Sequence, residues 1–161
     1  MINNIKGLIY YIVSYCEQNN IEITLYRLYR TVYLIDWIFC INRDKQFTDI
    51  IWFFDNYCPY SKKILSLLSN NNDLFSLTKI VDKQGIPRIK IILLKKGLII
   101  DFSEDERYII NFVLSKTSKF SQDELKNLVY STYPLKTTKR YSFFNILEKA
   151  RKYKELKKEV K

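Results

Sequence analysis

The sequence predicts an α+β fold: a mostly helical single domain with a short strand and a β-hairpin, plus a basic C-terminal helix. Three observations predict it. Apolar residues recur at helical spacing through residues 4–19, 25–39 and 103–131. Ile50-Ile51-Trp52-Phe53-Phe54 is β-branched and aromatic, too short for a helix and bounded by polar residues. Two apolar runs, 75–81 and 86–94, flank Asp82-Lys83-Gln84-Gly85, the pattern of a hairpin. At 161 residues the chain fits one domain around one sizeable core.

In chain order, Ile5, Leu8, Ile9, Ile12, Val13 and Cys16 trace one face of a first helix, which ends at the turn-forming pair Asn19-Asn20. Thr24 is the expected N-cap of a second helix, carrying Leu25, Leu28, Val32, Ile35 and Phe39 on one side. Asn42-Arg43-Asp44-Lys45 breaks that pattern before the aromatic strand. Pro59 suits the first turn of a third helix over about 60–68, because that position needs no donated backbone N–H. Ser69-Asn70-Asn71-Asn72-Asp73 stops it, the hairpin follows, and Lys95-Lys96-Gly97 closes the unit. Ser103 with Glu106, and Ser121 with Glu124, predict capping boxes that open helices over 103–118 and 121–131. Pro134 ends that unit. Lys136-Thr137-Thr138-Lys139-Arg140 reads as a basic link, and Ile146, Leu147, Ala150 and Tyr153 as a last helix with a sparse apolar face. Division into a domain of residues 1–135 and a tail of 136–161 follows, with the tail expected to add little to folding.

Composition excludes more than it selects. The chain has no histidine, which removes His-based acid–base catalysis, His-paired nucleophiles and mixed Cys/His metal sites. Three cysteines, Cys16, Cys40 and Cys58, have no zinc spacing and an odd count, so no disulfide framework is expected. With three glycines there is no P-loop or dinucleotide fingerprint, and no nucleophile elbow appears. The acid clusters at 104–106 and 123–124 lie in first helical turns, where capping and the helix dipole account for them. No catalytic residue, metal or cofactor is expected. No apolar run approaches the roughly 20 residues of a membrane span, and no small-residue cleavage site follows the N-terminal apolar stretch. A cytoplasmic protein with no membrane partner is the expectation. Of the net charge of +10, residues 136–161 hold 10 Lys/Arg against 3 Glu, so the body is only mildly basic.

Tyr-Leu-Ile-Asp-Trp at 33–37, Phe47-Thr48, the Trp52 strand and Tyr57-Cys58-Pro59-Tyr60-Ser61 form a constellation that resembles the Panacea, or SocA-like, domain of bacterial toxin–antitoxin systems. Members of that family show a Leu-Leu-Tyr-hydrophobic-Ala-Asp helix, an Ile-Thr-Gly turn and a strand ending in Tyr-Gly-Pro. Further similarity lies at 103–135, in the Ser-Glu-Asp-Glu helix start and Tyr-Ser-Thr-Tyr-Pro. Asp49 stands where Gly often follows the Thr, and Cys58 replaces a Gly whose backbone freedom a cysteine lacks.

The resemblance implies an antitoxin that neutralises a cognate toxin protein by direct binding, or delivers it to a protease. Candidate partner-binding residues are Asp36, Trp37, Tyr57 and Tyr60, with Arg140 and Arg151 through the charge of the tail. Trp52 and Pro59 are expected to be structural. Asp36 needs a partner or solvent in its apolar helix, and has two readings: a local hydrogen bond or salt bridge, and an interface contact. The alternatives are two. In a winged-helix-like nucleic-acid binder, residues 82–90 form a wing with Lys83, Arg88 and Lys90 on phosphate, aided by the basic tail. An adaptor or inhibitor in phage–host conflict would keep the fold and change its partner.

Overall fold

The computed structural model describes residues 4–159. Helix α1 (Asn4–Gln18) buries the predicted stripe and stops before Asn20, which takes a left-handed φ of 55°. Thr24 Oγ1 accepts the Arg27 N–H at 3.3 Å and opens α2 (Leu25–Arg43), which Asp44 ends in the left-handed region. After a turn come β1 (Trp52–Phe54) and β2 (Pro59–Tyr60), then α3 (Lys62–Asn70). The hairpin is β3 (Phe75–Val81) and β4 (Pro87–Leu93), paired antiparallel with Leu77 opposite Ile91. Asp82 shapes its turn by accepting from the Gln84 and Ile86 amides, both at 2.9 Å. Helices α4 (Glu104–Thr117), α5 (Gln122–Tyr130) and α6 (Tyr133–Thr137) follow, then β5 (Phe143–Phe144) and α7 (Ile146–Glu159). The α+β fold is therefore the predicted one.

Helix α2 organises the molecule. Its sequence shows an apolar stripe on one side, yet Tyr29, Arg30, Tyr33 and Asp36 off that stripe are buried as well. Packing explains this: α1, α4, α5, α7, β2 and β4 all lie against α2, so little of its circumference reaches water. The hairpin is stitched to the entry of α2 by the Ile91 N–H on the Ile23 carbonyl at 2.9 Å.

Four local expectations change in the structure. Pro59 lies not in a helix but in β2, opposite Phe54, and Ser61 is the cap of α3. Sheet order β2-β1-β5 makes β2 an edge strand, where a missing N–H breaks no ladder. Pro134 opens α6 rather than ending a unit, as its fixed φ suits a first turn. The Ser103–Glu106 capping box is complete, whereas at Ser121 only the serine half forms. Cys58 and Asp49 both avoid the left-handed region, so replacing glycine strains neither position.

The tail requires the largest correction. Phe144 pairs with Trp52 in the sheet, Ile146 and Ala150 are fully buried, and α7 packs along α2. Tyr153 sets its ring edge-on to Trp37, at 5.5 Å between centroids. Arg151 and Lys154 both reach Asp44, at 3.0 and 3.3 Å, and hold its carboxyl below the usual range. A sparse apolar face suffices because the surface that receives it is the core helix itself.

Candidate partner-binding surface

Asp36 is 0% exposed and therefore not a surface residue. Its Oδ1 accepts the Thr48 N–H at 2.9 Å. Its Oδ2 accepts from Thr48 Oγ1 at 2.5 Å, Gln46 Nε2 at 2.9 Å and Trp52 Nε1 at 3.0 Å. One carboxylate thus ties α2, the 46–50 turn and β1 together. Three residues that marked the chain in sequence, Asp36, Thr48 and Trp52, are this one network. Burial pushes the Asp36 carboxyl above its ordinary range, against the four donors, because the network brings it no counter-ion. Of its two readings, the local hydrogen bond is the one observed. Trp37 is 6% exposed and covered by Tyr153, so it too leaves the set of partner contacts.

Tyr57, Tyr60 and Arg140 are brought together around the turn between β1 and β2. Tyr57 is 61% exposed at its tip. The turn beneath it is clamped from several elements. Arg30 Nη2 of α2 donates to the Tyr57 carbonyl at 2.8 Å, and Tyr130 Oη of α5 reaches the Asn56 carbonyl at 3.4 Å. Arg140 donates to the Asp55 and Asn56 carbonyls, and Tyr141 to Asn56 Oδ1. The Arg140 guanidinium also stacks over Phe54 at 4.8 Å and Tyr130 at 5.9 Å. Tyr141 and Phe143 continue the exposed aromatic surface, and Tyr60 is half-buried with its ring edge-on to Tyr29. Arg151 lies elsewhere, paired with Asp44.

Beside Tyr57 opens a cleft of about 480 Å³ between the start of α2, the hairpin turn and α5. Tyr26, whose ring lies 5.8 Å from that of Tyr57, forms one wall, and Arg30 is part of the lining. Sequence reasoning passed over Arg30. The available signal was two arginines, 27 and 30, inside a helix whose neighbours Leu25, Leu28, Tyr29 and Val32 are all core residues. Both guanidinium groups are buried, which lowers their pKa. Arg27 is accounted for: it donates to the Thr117 and Phe120 carbonyls at 2.9 and 3.0 Å, capping the end of α4.

The basic residues proposed for phosphate are largely engaged. In the hairpin, Arg88 pairs with Asp82 at 3.1 Å and Lys90 with Glu22 at 3.9 Å. In the tail, Arg151 and Lys154 hold Asp44. All three thiols are buried, and burial pushes Cys16 up to about 11 and Cys40 and Cys58 up to about 12, far from a nucleophilic thiolate. Among the described residues no group of three or more His, Cys, Asp or Glu gathers to hold a metal, and no helix is long and apolar enough to cross a membrane.

A family model described as "Antitoxin SocA-like, Panacea domain" matches residues 28–134, from the first turn of α2 to the start of α6. No curated protein matches the chain, and no solved structure does.

Proposed function

The chain belongs to the antitoxin SocA-like Panacea domain family, and from that premise we propose that it neutralises a cognate toxin protein by binding it directly, without turnover. One observation supports the reading beyond the family itself. The turn that presents Tyr57 is held by side chains from α2, α5 and the segment before β5, so an exposed aromatic anchor is fixed before any partner arrives. Tyrosine offers large contact area at low side-chain entropy, and pre-organisation removes part of the ordering penalty of association. Arginine and tyrosine dominate interface energies, and Tyr57, Arg140 and Tyr141 supply both at one place. A specific complex should bury about 1,200–2,000 Å² in total. Delivery of the bound toxin to a protease would add a contact with the protease and shorten the toxin's lifetime.

The nucleic-acid alternative is less well supported, because Arg88, Lys90, Arg151 and Lys154 already face carboxylates. The experiment is co-expression with the adjacent gene, scored by growth rescue and by co-purification at moderate salt. Stoichiometric neutralisation predicts that rescue tracks the ratio of the two proteins. Absent rescue and co-purification, together with tight DNA binding that weakens steeply with salt, would replace this reading with the nucleic-acid one.

A further inference from the structure

We propose that the cleft beside Tyr57 receives a carboxylate carried on an apolar segment of the protein partner, with Arg30 and Lys126 as its cations and Tyr26, Ile86 and Pro87 as its apolar walls. The proposal rests on the binding role above and names the chemistry of one contact within it.

Arg30 is the carrying observation. It is 3% exposed and lies 5.7 Å over the Tyr26 ring, yet the described residues offer it no carboxylate. Of its five N–H groups, one donates to the Tyr57 carbonyl at 2.8 Å, and another meets Gln122 Oε1 at 3.4 Å, the limit of a hydrogen bond. Its Nε is buried with no acceptor at all. Arg27, one turn earlier, shows what a satisfied buried arginine looks like here: two carbonyls at the end of a helix, both within 3.0 Å. A guanidinium taken out of water with donors left unmet is unfavourable, and a carboxylate, with two acceptor oxygens, matches its planar fork. The position for it is at Nη1, and taking it requires the neutral Gln122 amide, whose Nε2 donates to Thr24 Oγ1 at 3.1 Å, to turn its oxygen away.

Charge around the cleft selects a monoanion. Arg88 is neutralised by Asp82, which leaves Arg30 and Lys126 against Asp123. Among the described residues neither Arg30 nor Lys126 forms an ion pair. Within this first cleft, one uncompensated positive charge fits a carboxylate better than a phosphate dianion. A second cavity of about 320 Å³ shares Tyr26, Pro87 and Arg88 with the first and continues past Leu25 and Ile89, with Lys79 on its hairpin side. That continuation suits an aliphatic side chain next to the anion.

The test is titration of the ¹⁵N-labelled full chain, followed at the arginine Nε–H signals, with the Arg30 signal assigned by its loss in Arg30→Lys. N-acetyl-leucine should shift it saturably at constant ionic strength, N-acetyl-leucinamide should not, and inorganic phosphate should bind more weakly. Comparison with the α-amide of N-acetyl-glutamate separates a C-terminal from a side-chain carboxylate, and saturable binding of either supports the proposal. Lys126→Gln, on the half-buried flank of α5 where folding is safe, should weaken binding about fivefold, the scale of one partly exposed ion pair. No saturable shift with either carboxylate, an equal response to the amide, tighter phosphate binding, or unaltered binding in Lys126→Gln would overturn it. Titration needs no toxin, and growth rescue by the wild-type chain needs no cleft ligand, so each reading can fail alone.

Discussion

Replacing Asp36 with alanine should remove a large part of the folding free energy, and the network geometry gives the size. Four donors lose their acceptor, but two of them keep another. Gln46 Nε2 still donates to the Ile50 carbonyl at 2.7 Å, and Thr48 Oγ1 can turn while accepting from the Ile50 N–H at 3.2 Å. The Thr48 N–H and the Trp52 indole N–H are left without partners, both at buried residues. An orphaned buried donor costs about 1–3 kcal/mol, so the pair accounts for about 2–6 kcal/mol. Relief of the buried charge offsets part of this, and we expect a net loss of about 2–4 kcal/mol, set against a typical domain stability of about 5–15 kcal/mol. Urea unfolding followed by far-UV circular dichroism reads it as a shift in midpoint at constant slope. Trp52→Phe supplies the control, because it removes one of the two orphaned donors. In the Asp36→Ala/Trp52→Phe double variant the losses should fall short of additivity by about 1–3 kcal/mol. An Asp36→Ala loss below about 1 kcal/mol, or additivity in the cycle, would refute the assignment of this carboxylate as the tie between α2 and β1.

The same carboxylate has a pH signature opposite to that of most acids. With its native pKa raised above the unfolded value of about 4, the folded state binds more protons across that window, so its stability contribution falls as pH rises through it. Wild type should therefore gain stability relative to Asp36→Asn as pH is lowered from 7 toward 4, and a relative loss on acidification would contradict the shift. Deleting residues 142–161 should cost more than about 3 kcal/mol, since Phe144, Ile146 and Ala150 leave the core together, and an unchanged thermal midpoint would disprove the docking. Tyr57→Ala should unfold within about 0.5 kcal/mol of wild type, because the ring is largely exposed. It should also weaken toxin binding by about 2 kcal/mol or more, measured by calorimetry, and full affinity would move the interface elsewhere.

What the sequence by itself determined are features whose cause lies within a few residues. Thr24, Ser103 and Ser121 cap helices because each oxygen accepts from an amide three positions on. The hairpin closes where Asp82 and Gly85, at a φ of 80°, make a turn between apolar runs. The family pattern at 33–61 was likewise readable, since it consists of residue types at fixed spacing. Tertiary structure decided everything that depends on a distant neighbour. Asp36 and Trp37 read as surface candidates until Trp52 and Tyr153 covered them, and a single helical stripe gave no sign that α2 is enclosed on nearly every side. Two features needed a particular partner surface. Pro59 is a strand residue because Phe54 lies opposite it, and the tail belongs to the core because Trp52 pairs with Phe144. The Arg30 cleft is the clearest case. Its walls come from α2, the hairpin, the β1–β2 turn and α5, and only their assembly leaves a buried guanidinium short of acceptors, as no local pattern encodes an unmet donor.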